Sequence, residues 1–219
     1  MKRFLVLLFT AMLLLTACGA EEKESSKKSG KKEEKPNESA TPESIEKAIR
    51  EALGDGYQCP LDVTEDEFFL CALADVDMTK IASYVAKVNP VTAVHCDTVV
   101  VVRCREASYA DEVVKAFNGF FYRQMNYAAQ YPMEPMKLQS TRIYKAGDLV
   151  MYICAGASAP ERSDDATMIR ISEEEYKKIE EAVKKELGFL PENLADSDGD
   201  GRDRGEGVGA SCDDASIED

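Results

Sequence analysis

Seven cysteines, at positions 18, 59, 71, 96, 104, 154 and 212 of 219 residues, are the first residues whose type and spacing could do chemistry. Cys18 stands apart, at the end of an apolar leader. The other six form an even set, which in an oxidising compartment reads as a disulfide framework with fifteen possible connectivities. Cys59 and Cys71 flank a short helical signal and are expected to pair. Cys154 is expected to pair with Cys96 or Cys104, which share a strand face by parity. The alternative is that several remain small buried thiols. No C-x-x-C spacing occurs, so neither thioredoxin-type exchange nor a zinc knuckle has its ligands. His95 is the single histidine. Neighbouring strand residues point to opposite faces, so His95 and Cys96 do not converge on one ion or form a Cys/His nucleophile, and His95 reads as a strand-end residue.

Carboxylates supply the second candidate. Asp196, Asp198 and Asp200 stand at alternate positions and are followed by Gly201, the pattern of a calcium loop whose oxygens surround the ion at a sharp turn. Position twelve of such a loop is Gly207 instead of a bidentate glutamate, and Glu206 falls one place early. The site would therefore be weak, on the order of 10⁻⁴ to 10⁻³ M for calcium. The competing reading is a solvated acidic tail. G-x-S-x-G, H-E-x-x-H and glycine-rich phosphate loops are all missing, which removes the commonest hydrolase and nucleotide-binding readings. No cofactor other than weakly bound calcium is expected, and no residue is assigned a catalytic role.

Lys2 and Arg3 precede an apolar run from Phe4 to Leu15, too short for a spanning helix and followed by small residues and then charge. That is a secretory signal, covering residues 1–17. Its last three residues with the cysteine, Leu15-Thr16-Ala17-Cys18, resemble the lipobox of bacterial lipoproteins, in which the cysteine takes a diacylglyceryl thioether and becomes the new amino terminus. Two or more acyl chains, palmitate among them, give stable anchoring where one is marginal. Loss of Lys2 and Arg3 with the signal takes the net charge from −14 to −16. A chain this acidic, whose densest run of lysines lies in a mixed-charge linker without aromatics, is not suited to nucleic acid. It suits cations or basic partners.

Stepping along the chain, residues 18–40 are dominated by Glu, Lys, Ser and Gly and read as a disordered tether, with a coil reach on the order of 25 Å. Thr41 caps a helix with Pro42 at its first position and Ile45, Ala48, Ile49, Ala52 and Leu53 on one stripe, ended by Gly54. Thr64 and Glu67 form a capping box for a short helix carrying Phe68, Phe69 and Ala72. Residues 77–88 fit a helix or a strand equally well. Residues 98–103, with four consecutive valines, are a strand buried on at least one face. Ser108 opens the longest helix, whose stripe Ala110, Val113, Val114, Phe117 and Phe121 faces the core. A hydrophobic ligand box made by Phe117, Phe120, Phe121 and Tyr122 is the functional alternative. A loop spans residues 132–135. Residues 140–144 and 149–154 form a hairpin around Gly147. Ser172 and Glu175 cap a last helix with Tyr176, Ile179, Val183 and Leu187 inward, closed by Gly188. The expectation is one α+β domain over residues 41–190, with a small, mostly antiparallel sheet of about four strands against two or three helices covering one face, and an acidic Asp/Gly-rich tail over 191–219.

The order from Val85 to Cys154, with Asp97-Thr-Val-Val-Val-Val-Arg103, a Val/Ala/Phe helix, a proline loop and Lys145-Ala-Gly-Asp148 leading into Leu-Val-Met-Tyr-Ile, resembles the Gram-positive lipoproteins grouped as domain of unknown function 4358. The resemblance spans about residues 45–187. It implies an extracytoplasmic α+β domain and brings no catalytic residue to carry over. The six cysteines and the Asp/Gly tail depart from the family's usual pattern. The functional expectation is a noncatalytic binding module of the cell envelope, anchored to the membrane by lipid on Cys18, with an envelope protein or small ligand as partner. The alternatives are an envelope enzyme or thiol redox protein using the domain cysteines, and a weak calcium-binding tail.

Overall fold

The computed structural model describes residues 34–65, 76–91, 94–129 and 134–196. Cys18 with its signal, Cys71 and the helix expected around residues 64–72, Cys212, and the tail carboxylates Asp198 and Asp200 lie outside the described residues. Four helices and five strands are present among those described: α1 (Pro42–Leu53), β1 (Leu61–Asp62), β2 (Ile81–Val88), β3 (Thr98–Cys104), α2 (Ala110–Ala128), α3 (Pro135–Gln139), β4 (Arg142–Ala146), β5 (Leu149–Cys154) and α4 (Asp165–Leu187). The class is α+β, as expected. The strands make one antiparallel sheet in the order β1-β2-β3-β5-β4.

Helices cover both faces of the sheet, where one covered face was expected. Val100, Val102, Val150, Tyr152 and Cys154 pack with Ala110, Val113, Phe117 and Phe121 of α2 and Leu138 of α3. The alternate positions Val99, Val101, Leu149, Met151 and Ile153 pack with Ile45, Ile49 and Leu53 of α1 and with Tyr176, Ile179, Val183 and Leu187 of α4. This accounts for the four-valine run. A central strand with both faces buried has no polar positions to alternate with, and each buried valine contributes about 1.5–3 kcal/mol.

Within residues 77–88 a 3₁₀ turn, Met78–Lys80, leads into strand β2, where Val85, Ala86 and Val88 are paired with Val101, Val100 and Thr98 across the ladder. Tertiary pairing thus decided what local periodicity left open. Two helix starts differ from expectation. α2 begins at Ala110 behind a 3₁₀ turn, Ala107–Tyr109, and Ser108 supplies no cap. α4 begins two turns earlier than expected, with the Asp164 side chain accepting from the Thr167 amide. Ser172 and Glu175 are therefore interior: Ser172 Oγ donates to Ser140 Oγ, and buried Glu175 accepts the Ala157 amide. Residues at the end of the expected 132–135 loop open the short helix α3, with Pro135 at its first turn. The hairpin turn is only Gly147 and Asp148, with Gly147 at φ +60°.

The domain also extends beyond residues 41–190. Ala40 is fully buried, and Asn37 donates from its amide to Leu187 O and from Nδ2 to Glu186 O, covering the end of α4. Asn193 and Leu194 run along the outer edge of β4, where Leu194 N donates to Ile143 O at 2.7 Å and Ile143 N donates to Asn193 Oδ1 at 3.0 Å.

Candidate functional site

Polar chemistry gathers at the end of the sheet where β3 begins and β5 finishes. Asp97 directly precedes β3 and is 1 % exposed; Lys137 lies in α3 and is 6 % exposed. The Lys137 Nζ donates to both Asp97 carboxylate oxygens at 3.2 and 3.1 Å and to Ser158 Oγ at 3.1 Å, and it pairs with Glu134 Oε2 at 3.0 Å. Ser158 in turn donates to Gln58 Oε1 at 3.1 Å. One ammonium thus ties the approach to β3, the start of α3, the loop after β5 and the loop after α1. A buried charge is tolerated only with this kind of complete pairing.

Burial pushes the Asp97 carboxyl up to about 6 against the pull of Lys137. Burial likewise works against the Lys137 ammonium, but Asp97 and Glu134 outweigh it and hold its pKa above the usual lysine value. For Glu134, burial is overcome by Ser158, Lys137 and His95, leaving its carboxyl below the ordinary range. At neutral pH the cluster is therefore two carboxylates around one ammonium. Lys137 has no free base form there, so a Ser/Lys nucleophile at Ser158 lacks its proton acceptor.

His95, Asp97 and Glu134 bring one ligand atom each to within 4.8 Å of one another. The His95 Nδ1 is 3.4 Å from Glu134 Oε2. Lys137 already sits between the carboxylates and supplies the positive charge that a metal would bring. His95 is a half-buried loop residue just before β3, close to the strand-end placement expected of it.

An open cleft of about 250 Å³ lies beside this cluster. Glu134, Met136 and Lys137 form one wall, and Arg162, Met168 and Ser172 line the other side. Arg162 has φ +65°, the left-handed region that a side chain with a Cβ seldom adopts. The aromatic stripe of α2 belongs to the core: Phe117 and Phe120 pack edge-on against Tyr152, with ring centroids 5.9 and 5.1 Å away.

Cys59, Cys96, Cys104 and Cys154 are free, buried thiols in the structure. Cys96, Cys104 and Cys154 share the α2 side of the sheet, whereas Cys59 packs on the α1 and α4 side. The neighbouring Cys154 and burial together push the Cys96 thiol far up, and its Sγ lies 4.0 Å from the Glu134 carbonyl oxygen. Burial also raises Cys59 strongly and takes Cys104 up to about 11. Thiols held neutral in this way are poor nucleophiles. Of the expected calcium ligands only Asp196 is described; its amide donates to Asn118 Oδ1, which ties the start of the tail to α2.

The family model described as Domain of unknown function (DUF4358) matches residues 66–155. Over that stretch the chain is similar to this family. No curated protein and no solved structure matches the chain. The DUF4358 stretch is shorter than the 45–187 span of the sequence resemblance and contains His95, Asp97, Glu134 and Lys137, three of which form the charge cluster proper. Gln58, Ser158 and the α4 wall of the cleft are supplied from outside it. Sequence reasoning passed over Asp97 as an anchor, and over Glu134, Lys137 and Ser158 entirely. One signal was present: a carboxylate abutting four buried valines has to find a buried partner.

Proposed function

We propose that the chain is a lipid-anchored, extracytoplasmic binding module of the cell envelope, tethered through Cys18, and that the cleft beside Lys137 receives a protruding side chain of an envelope protein. The observation that carries this reading is the mutual commitment of Lys137, Asp97, Glu134 and Ser158 at the cleft wall. Groups locked in this way support a rigid surface and leave nothing poised for acid, base or nucleophilic work. A cleft of about 250 Å³ falls below the roughly 300–1,000 Å³ usual for drug-sized ligands and suits a single inserted side chain. Val91, Val94 and Ile169, exposed to 52 %, 40 % and 44 %, add apolar surface of the kind that partners cover. The mature charge of −16 favours a basic partner.

A photo-crosslinking residue replacing Met168 in the full-length exported chain, compared with one replacing exposed Glu181 on the same helix, tests the reading. A discrete adduct at position 168 and none at 181, together with release of a Cys18→Ala variant into the medium, is expected. Equal labelling at both positions, or substrate turnover by the purified chain, overturns it.

A further inference from the structure

We propose that Cys96 and Cys154 are a disulfide pair that closes when the chain folds outside the cytoplasm. The inference rests on the export reading above for its compartment and on the fold for its geometry. Three observations carry it. The β3/β5 register pairs Thr98 with Cys154, so Cys96, two residues ahead of Thr98, lies diagonally opposite Cys154 on the same face. The two side chains are near neighbours, within electrostatic reach of each other. Both are buried against the same core, at 6 % and 0 % exposure.

The fold also chooses between the partners left open for Cys154. Cys104 lies at the far end of β3, six residues beyond Thr98, about 20 Å away at some 3.3 Å per residue. No disulfide spans such a distance, since bridged Cα atoms lie within about 7 Å. Cys59 packs on the opposite side of the sheet.

In the closing step each thiol gives up its proton and the pair gives up two electrons, forming one S–S bond. The electrons and protons pass to a disulfide donor, either a small-molecule disulfide or an envelope thiol oxidase, which is reduced to two thiols. Because both thiols are buried in the finished fold, closure belongs to the folding chain, before α3 seals this end of the sheet. The bridge would fasten the segment bearing His95 and Asp97 to the end of β5.

The test uses the full-length protein recovered from the envelope of an exporting host, quenched in acid with N-ethylmaleimide and mapped by peptide mass spectrometry. Expected are a Cys96–Cys154 linked peptide, labelled Cys104, and a Tm lower on the order of 10 °C after reduction, as befits a closed loop of this length. Cys96→Ser and Cys154→Ser should each abolish the sensitivity of Tm to reductant, and Cys104→Ser should keep it. Lipidated, envelope-bound protein with both thiols labelled, or with Cys59 joined to Cys154, overturns the proposal while sparing the export reading. If Cys18 carries no lipid and the protein is cytoplasmic, the export reading fails on its own. The purified full chain in a glutathione redox buffer then decides the pair: selective closure of Cys96 with Cys154 supports it, and failure to close overturns it.

Discussion

Lys137 sits where an ammonium group costs several kcal/mol to take out of water, and it remains because Asp97, Glu134 and Ser158 surround it. The three partners cannot be removed independently. Lys137→Met should leave the Asp97 carboxylate buried without its cation and lower stability by about 3–5 kcal/mol in urea unfolding. The double variant Lys137→Met with Asp97→Asn should recover a large part of that loss; strictly additive losses would show that the groups do not act as a unit. Asp97 also sets a pH dependence. Its carboxyl is raised to about 6 in the fold by burial, so between about pH 4 and pH 6 the folded state binds more protons there than the unfolded state. Stability from this group is therefore greatest at the acid end of that window and falls as pH rises through it. The Tm of the wild type minus that of Asp97→Asn should shrink from pH 4 to pH 7. A growing difference would mean that Lys137 outweighs the burial penalty.

At the level of elements, the strands and helices whose apolar spacing is unambiguous formed where local pattern placed them. α1 has its Thr41 cap, Pro42 and the Ile45, Ile49 and Leu53 stripe, and Gly188 closes α4 in the left-handed conformation at φ +88°. Where two signals competed, longer-range contacts decided. Ser172 and Glu175 have the spacing of a helix start, but Asp164 offers a cap two turns earlier and the residues between continue the helix. Glu175 is then free to turn inward, and the loop after β5 closes upon it through Gly156. A Cβ at Gly156 would lie 2.8 Å from Glu175 Cβ, on a backbone with φ +132°. Gly156→Ala should therefore cost about 2–4 kcal/mol, from backbone strain and overpacking together. Gly119 gives the contrast: it lies within α2, and its nearest added contact is Arg123 Nη1 at 3.6 Å. Gly119→Ala should stabilise by up to about 1 kcal/mol, and a thermal melt of the two variants checks the pair.

Considered whole, the domain is a sheet enclosed between two helical layers, with its β4 edge covered by the chain's own continuation. Tyr144 bridges Asn193, Leu194 bonds Ile143, and Asn118 Nδ2 donates to Leu194 O at 3.0 Å. An uncovered strand edge recruits other chains. Truncation after Pro191 should thus lower Tm and produce oligomers on size-exclusion chromatography, relative to truncation after Asp196. Equal behaviour of the two truncations would show that the covering segment adds nothing. The candidate site belongs to this scale as well, because its members come from four separated segments. Ser158 and Gln58 are 100 positions apart, and Lys137 and Asp97 are 40 apart.

From its residues alone, this chain determined the α+β class, the principal helices and the central strand, because each rests on local spacing that the backbone repeats every two or 3.6 residues. The shared face of Cys96 and Cys104 follows from the same alternation and was legible too. Tertiary structure alone decided that both faces of the sheet are covered, that Lys137 is enclosed by Asp97, Glu134 and Ser158, and that Cys154 meets Cys96 and not Cys104. These depend on strand register and layer packing, which join residues far apart in sequence and leave no periodic trace in it.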